Sequence, residues 1–433
     1  MFASLVLPSL GDNGACIMTL AVDPARLWNR LHDLAAIGAY RDEHTGLMGV
    51  NRLALTDTDA AGRALVKRWF EEAGLAVRVD RIGNVYARRR GLDESLAPVV
   101  AGSHIDSVPT GGAFDGCLGV LGALEGVRAL DDAGVVTRRP IELGFFTDEE
   151  GCRFGTDMLG SAVACGRIPL EVAWALRDRD GKTVKEELAR IGFLGDAEER
   201  VAAPHAYVEL HIEQGPVLAA EGFELGVVTG VQAISWQELT IVGKSAHAGT
   251  TPMHLRRDPG FAAARIHLHL HEMIESGRYG ADMRATMGRI EPAPNRINVV
   301  PGRTVCTVDL RKPDDHAMAA AERELAAFVR ALGDELQLAI ETRQTARTAS
   351  IAFSGDVQEV IARHMREAGV HHRRIQSGAG HDAQEFAAKC PTAMIFVPGE
   401  YDGISHNPRE YSTLEACARG ATTLLRTMVT LAS

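Results

Sequence analysis

Five short segments of this chain collect side chains able to bind a metal or move a proton. The first, Gly102-Ser103-His104-Ile105-Asp106-Ser107-Val108, follows a compact apolar run, Pro98 to Gly102. Such a run reads as a buried strand, so His104 would stand at its C-terminal end, where ligand sites of α/β folds gather. A neutral imidazole is a good metal ligand, and Asp106, two residues on, can orient it. A turn with a capping aspartate is the ordinary alternative. In the second segment, Ala113-Phe114-Asp115-Gly116-Cys117-Leu118-Gly119, Asp115 precedes a glycine at a loop-to-helix junction. It is either an N-cap or a carboxylate that bridges two cations. The third, Phe145-Phe146-Thr147-Asp148-Glu149-Glu150-Gly151, ends an apolar strand in three consecutive acids, whose repulsion calls for a cation unless the turn is simply solvated.

The fourth segment, Val208-Glu209-Leu210-His211-Ile212-Glu213-Gln214-Gly215-Pro216, alternates, so that a strand would put Glu209, His211 and Glu213 on one face. The fifth, Gly403-Ile404-Ser405-His406-Asn407-Pro408, is a turn-rich loop presenting another imidazole. Together His104, Asp115, Glu150, His211 and His406 supply three imidazoles and two carboxylates. With Asp115 bridging, each of two metals receives three protein ligands and keeps an open position. Mixed nitrogen and oxygen donors suit Zn, Mn, Co or Ni better than Ca or Mg.

These motifs resemble the co-catalytic metallopeptidase-like amidohydrolases, in the branch of N-carbamoyl-L-amino-acid hydrolases, β-ureidopropionases and allantoate amidohydrolases. The likeness runs from the Gly83-Asn84-Val85 turn to the His406 loop. Its most specific carriers are Glu209 to Pro216, the run Ser245-Ala246-His247-Ala248-Gly249-Thr250-Thr251-Pro252-Met253, and Ser377-Gly378-Ala379-Gly380-His381-Asp382-Ala383. The resemblance implies one metal held by His104, Asp115 and His211, and another by Asp115, Glu150 and His406. It makes Glu149 the general base and Asp106 an auxiliary of catalysis. It implies that His247, reaching over from a partner subunit, stabilises the tetrahedral oxyanion. Asn298 and Arg311 match the contacts to a substrate carboxylate, and Gly380 and His381 line the pocket. Without the resemblance His247 and Arg311 read as surface residues.

The elements that must position these residues follow from periodicity. Asp23 to Ile37 and Asp57 to Ala73 have helical spacing, with Asp23 and Thr56 or Asp57 as caps and Pro24 in a first turn. Ala76 to Val79, Asn84 to Ala87 and Ile141 to Thr147 read as strands, and the Gly-rich Gly116 to Leu130 as a helix packed closely on the sheet. From Gly226 the texture changes: strand-like Ser235 to Val242 and Thr304 to Leu310 alternate with helical Asp258 to Glu275 and His316 to Leu332. Buried-strand character returns at Ala393 to Val397, before a last helix, Thr413 to Leu431. The expected fold is α/β: a discontinuous catalytic domain with a mixed sheet flanked by helices, over 1–228 and 346–433. A smaller α+β block, 229–345, interrupts it, and the resemblance implies that this block is a lid and dimerisation domain.

Composition is consistent with this. The 433 residues carry 46 basic and 57 acidic side chains, a formal charge of −11, with 46% hydrophobic residues, which excludes a disordered chain. The acidic balance argues against nucleic acid or an anionic membrane as the partner, and no apolar run is long enough to span a bilayer. Met1 to Cys16 lacks the basic start of a signal peptide, and Met18 is a second possible start. Seven scattered cysteines without a CxxC pair fit reduced thiols in a cytoplasm. The resemblance implies as partners a small carboxylate bearing a carbamoyl or ureido group and a second copy of the chain.

Within the branch, Ile234 and Trp236 stand where allantoate amidohydrolases carry more polar residues. This favours cleavage of an N-carbamoyl-L-amino acid to the amino acid, carbon dioxide and ammonia, with allantoate or β-ureidopropionate as the alternative. A dipeptidase or aminoacylase is disfavoured by His211, which stands where related peptidases carry an acid. A catalytically silent relative would have lost Glu149 or a ligand. Two patterns are set aside: the GxGxxA match at Gly378 to Ala383, which lacks a βαβ start, and His267 with His271, which read as a solvated or packing helix face.

Overall fold

The computed structural model describes residues 5–6, 14–199 and 201–433, so most of the N-terminal segment considered above lies outside the described residues. Contacts divide the chain into two compact units. One comprises the residues up to Gly230 together with Ala352–Ser433, and the other Val231–Ile351.

In the first unit, α1 (Pro24–Ala35) starts where expected, because Asp23 accepts the Arg26 N–H and Pro24 has no amide hydrogen to leave unsatisfied. Helix α2 (Asp57–Glu72) is capped by Thr56, which accepts the Asp59 N–H, and ends before Gly74 at φ +73°. The sheet contains β1 (Ala76–Val79), β2 (Val85–Arg89), β3 (Val99–His104), β4 (Ile141–Phe146), β5 (Ala206–Ile212) and β6 (Leu225–Val231). The last part of the chain adds β7 (Thr392–Val397). The order across it is β6, β7, β5, β3, β4, β2, β1. Neighbours among β7, β5, β3 and β4 are parallel, and the flanking strands pair antiparallel. Every residue of the four parallel strands is buried, which explains why β3, β4 and β7 read as apolar runs, whereas β5 buries the polar Glu209 and His211.

Helix α3 (Cys117–Asp132) crosses from β3 to β4 and lies almost flush on the sheet. A Cβ at Gly119 would stand 2.5 Å from the Leu210 carbonyl oxygen, so only hydrogen fits there. Behind it packs the closing helix α4 (Leu414–Ala432), with Gly126 facing Met428. Gly119→Val is expected to destabilise the protein by about 1–3 kcal/mol or more through overpacking. Urea unfolding checks this, and an unchanged midpoint would deny the close approach.

The second unit pairs β8 (Ala233–Val242) with β9 (Arg303–Lys312) on one side and β10 (Ala339–Thr348) on the other, all antiparallel. Two helices, α5 (Pro259–Glu275) and α6 (Asp315–Leu336), supply Ile266, Leu270, Met318 and Leu325 to a core shared with Leu239 and Ile241 of β8. This is an α+β unit. Its boundary falls after Ile351 because β10 stays paired with β8 as far as Thr348.

No helix among the described residues is long and apolar enough to cross a membrane. Cys117, Cys152, Cys165, Cys306, Cys390 and Cys417 are free thiols.

Candidate metal centre

The parallel register accounts for the convergence of distant residues. His104 is the last residue of β3 and pairs with Phe146, the last of β4; His211 of β5 pairs with Phe396 of β7. The same edge of four adjacent strands therefore carries His104, the Asp148–Glu150 turn, His211 and the loop holding His406. Asp115 comes from the loop between β3 and α3 and meets them all. Its Oδ1 is 3.1 Å from His211 Nε2 and 3.7 Å from His104 Nε2, and its Oδ2 is 3.3 Å from His406 Nε2. His406 Nε2 is also 3.3 Å from Glu150 Oε2.

Hydrogen bonding shows which nitrogens are available. His104 Nδ1 lies 3.0 Å from the Asp106 carbonyl and His211 Nδ1 lies 2.9 Å from the Ile212 carbonyl. A carbonyl can only accept, so each Nδ1 carries the proton, and in the neutral ring Nε2 offers a lone pair toward Asp115. Lone pairs facing an anionic carboxylate in a buried site need a cation between them, a proton or a metal ion. Without metal the protons supply it. Burial alone would lower the His104 pKa, but Glu149, Asp115 and Asp106 raise it well above the ordinary value. His406 is raised to about 9, first by its hydrogen bond to Asp115. Asp115 is held well below the usual carboxylate range, its three imidazoles outweighing burial.

Two triads, His104 with Asp115 and His211, and Asp115 with Glu150 and His406, each hold ligand atoms within 4.8 Å of one another. Glu150 Oε1 is buried without a hydrogen-bond partner, as a group prepared for an ion would be. The donor set fits divalent transition metals. A third group, Glu209 with His211 and His381, meets the same distance criterion. There, however, Glu209 is occupied by Ser103 Oγ at 2.7 Å, Tyr207 O–H at 3.3 Å and the Ala383 N–H at 2.9 Å. It ties β3 and β5 to the short helix Asp382–Phe386.

Glu149 is buried, with Oε2 3.6 Å from His104 Nε2. Burial, followed by the charges of Asp382, Glu150 and Asp106, pushes its pKa well up, against the pull of His104. Asp106 works differently from the sequence expectation. Its carbonyl, not its carboxylate, holds His104: the carboxylate is 4.0 Å from Nδ1. The carboxylate instead receives the N–H groups of Glu149 and Glu150, both at 3.4 Å, and so steadies the acidic turn. The buried Arg63 supports that turn from beneath, reaching Asp59 at 2.7 Å, the Gly83 carbonyl at 2.8 Å and Thr147 Oγ1 at 3.2 Å. Glu213 falls just past β5 and accepts the N–H groups of Val217 and Leu218, capping a one-turn helix.

His381 is buried, its ring edge-on to His211 at 4.5 Å and its Nε2 2.8 Å from Ser377 Oγ. Gly380 beside it is half-buried. His247, Asn298 and Arg311 belong to the second unit. His247 Nδ1 accepts the N–H groups of Gly249 and Thr250 at 3.0 and 3.2 Å, so its exposed neutral ring carries the proton on Nε2 and can donate. Asn298 is adjacent, its carbonyl taking the Ala248 N–H. Arg311 is engaged by Asp309 of its own strand, Nη2 to Oδ2 at 2.9 Å. Sequence reading missed Gln214 and Ser405. Gln214 Nε2 and Ser405 Oγ each donate to Asp115 Oδ2 at 2.8 Å. Both lie inside quoted motifs, beside residues that attracted attention as ligands.

The model of Peptidase family M20/M25/M40 matches residues 100–430. The chain is 40% identical over 409 residues to an N-carbamoyl-L-amino-acid amidohydrolase of Rhizobium meliloti, covering 94% of this chain and 96% of the relative. It is 33% identical to an allantoate amidohydrolase of Escherichia coli K12, covering 89% and 93%. Among solved structures, a hydantoinase/carbamoylase family amidase from Burkholderia multivorans superposes with a TM-score of 0.91 at 44% identity, covering 96% of this chain and 99% of that one.

Proposed function

The chain belongs to Peptidase family M20/M25/M40, and on that premise we propose that it cleaves the ureido C–N bond of an N-carbamoyl-L-amino acid. The products are the amino acid, carbon dioxide and ammonia. The chain is a hydrolase acting on C–N bonds, as its amidohydrolase relatives are. One observation carries the reading furthest: the Nε2 atoms of two buried histidines converge on Asp115, with Glu149 within 3.6 Å of one of them.

On this reading His104, Asp115 and His211 hold one divalent cation and Asp115, Glu150 and His406 a second, drawn from Zn, Mn, Co or Ni. Such a pair, when bound, polarises a ureido carbonyl and makes water more acidic. Glu149 takes the proton of the attacking water and returns it to the departing nitrogen. Asp106 holds the Glu149 and Glu150 backbone so that the proton carrier keeps its place. Gln214 and Ser405 orient the Asp115 carboxylate, and His381 braces the His211 ring. In a homodimer formed through the second unit, the partner subunit's His247 donates to the developing oxyanion. Asn298 and Arg311 receive the substrate carboxylate, and Gly380 lines the pocket.

Asp309 already aligns the Arg311 guanidinium, which limits the entropy lost when a carboxylate joins it. Arg311→Ala is expected to raise KM by about 10- to 100-fold with kcat little changed, the loss of a charge-assisted pair. Steady-state ammonia release measures both constants, and an unchanged KM would move the anchor elsewhere.

The deciding experiment is ammonia release from a panel of N-carbamoyl-L-amino acids, allantoate, β-ureidopropionate and N-acyl amino acids, with each of the four metals. Preference for a carbamoyl amino acid is expected. Preference for allantoate would assign the chain to purine breakdown, and turnover of acyl amino acids alone would overturn the reading.

A further inference from the structure

Asp115 and His406 lie far apart in the sequence, yet their side chains stand 3.3 Å apart. Neither is on a strand or a long helix at that point. Asp115 precedes Gly116, which opens α3 at φ +63° with no side-chain cap, and His406 itself has φ +55°. Both loops need an external constraint to hold their ligands to the tolerance a cation pair demands.

Glu410 provides contacts of the right kind. It is 6% exposed, four residues beyond His406, and its Oε1 accepts the backbone N–H groups of both Phe114 and Asp115 at 3.0 Å. Its Oε2 lies 2.8 Å from Ser405 Oγ, the hydroxyl that also stands 2.8 Å from Asp115 Oδ2. The two loops are further joined by Thr110 Oγ1, which donates to the His406 carbonyl at 3.0 Å. Space is reserved for this carboxylate. A Cβ at Gly112 would fall 2.5 Å from Glu410 Cβ, Cδ and Oε1, so a side chain there would displace it.

One hydroxyl proton on Ser405 faces two carboxylates, and it can serve only one of them. We propose that Glu410 is a positioning residue that fixes the Asp115 loop to the His406 loop and thereby sets the affinity for the second of the two cations. This rests on the dinuclear reading above and adds a residue that acts on the centre through Asp115 and Ser405.

The test titrates metal-free protein with Co²⁺ against a chromophoric chelator, following the cobalt absorption bands, for the wild type, Glu410→Ala, Glu410→Gln and Ser405→Ala. The wild type should bind two ions per chain. Glu410→Ala should weaken one of them by about 10- to 100-fold, the range for removing an outer partner of a metal ligand, and alter the bands. In Glu410→Gln the amide oxygen still accepts both N–H groups but the amide nitrogen cannot accept from Ser405, so an intermediate loss is expected. Ser405→Ala should resemble it. If Glu410→Ala does not fold, the isosteric Glu410→Gln decides. A residue that merely stabilised the fold would lower the melting temperature and leave both affinities and the spectrum alone. Two ions bound within twofold of the wild-type affinities in Glu410→Gln, with unchanged bands, would overturn the proposal. A wild type that binds no cobalt would instead remove the dinuclear reading beneath it.

Discussion

Glu149→Gln is expected to lower kcat by about a thousandfold, with KM and metal content close to those of the wild type. The amide has the shape of the carboxyl group and leaves the backbone bonds to Asp106 in place. It cannot take a proton from water, and that is the one capacity the substitution removes. Because the loss falls on a step after binding, kcat and kcat/KM should drop together. Steady-state kinetics with metal analysis of the same sample make the comparison. A rate within tenfold of the wild type would mean that another group carries the proton. Other buried acids whose pKa is pushed up by burial are Asp148, whose carboxylate oxygens have no hydrogen-bond partner, and Asp382, bonded to Ser161 at 2.5 Å.

The second large effect concerns the shared ligand. Asp115→Ala deletes the only side chain common to both triads. Both cation affinities should fall, metal per chain after desalting should approach zero, and kcat/KM should drop by at least about a thousandfold, roughly 4 kcal/mol of transition-state stabilisation. Removal of metal from the wild type by a chelator should reproduce the loss. Added Mn, Co, Ni or Zn should restore the wild type but not the variant. His406→Ala is the informative companion, because it takes a ligand from one triad only and should spare the ion held by His104 and His211. Retention of two ions by Asp115→Ala would show that the pair is not bridged by this residue.

Much of the fold was legible because its signals are local. Asp23 and Pro24 mark the start of α1, and Thr56 and Gly74 bracket α2, each through hydrogen bonds or torsion angles that involve only a few neighbouring residues. The strands β3, β4 and β7 announced themselves as apolar runs because both faces of a central parallel sheet are covered. The glycines of α3 foretold close packing, though not which carbonyl, that of Leu210, would occupy the space. At the site, residue type and context singled out His104, Asp115, Glu150, His211 and His406 as a set that could hold two cations, and the family resemblance added Glu149 as the base. The partners of these residues were harder to read. Asp106 was recognisable as a helper of His104, but whether its carbonyl or its carboxylate did the holding depends on the turn beyond β3.

The amino-acid order by itself determined the chemistry available: which donors exist, which strand ends carry them, and that Asp115 has a carboxylate to share. Only the tertiary structure decided how those donors are satisfied. Parallel pairing aligns the ends of β3, β4, β5 and β7, and no local propensity encodes which strands become neighbours. A hydrogen bond across 295 residues assigns Glu410 to Asp115, and a pairing within β9 gives Arg311 to Asp309. The physical reason is range. Capping, turn and periodicity preferences act over a few residues, whereas tautomer, orientation and charge at a buried centre are set by whichever atoms the packed chain brings within about 3 Å.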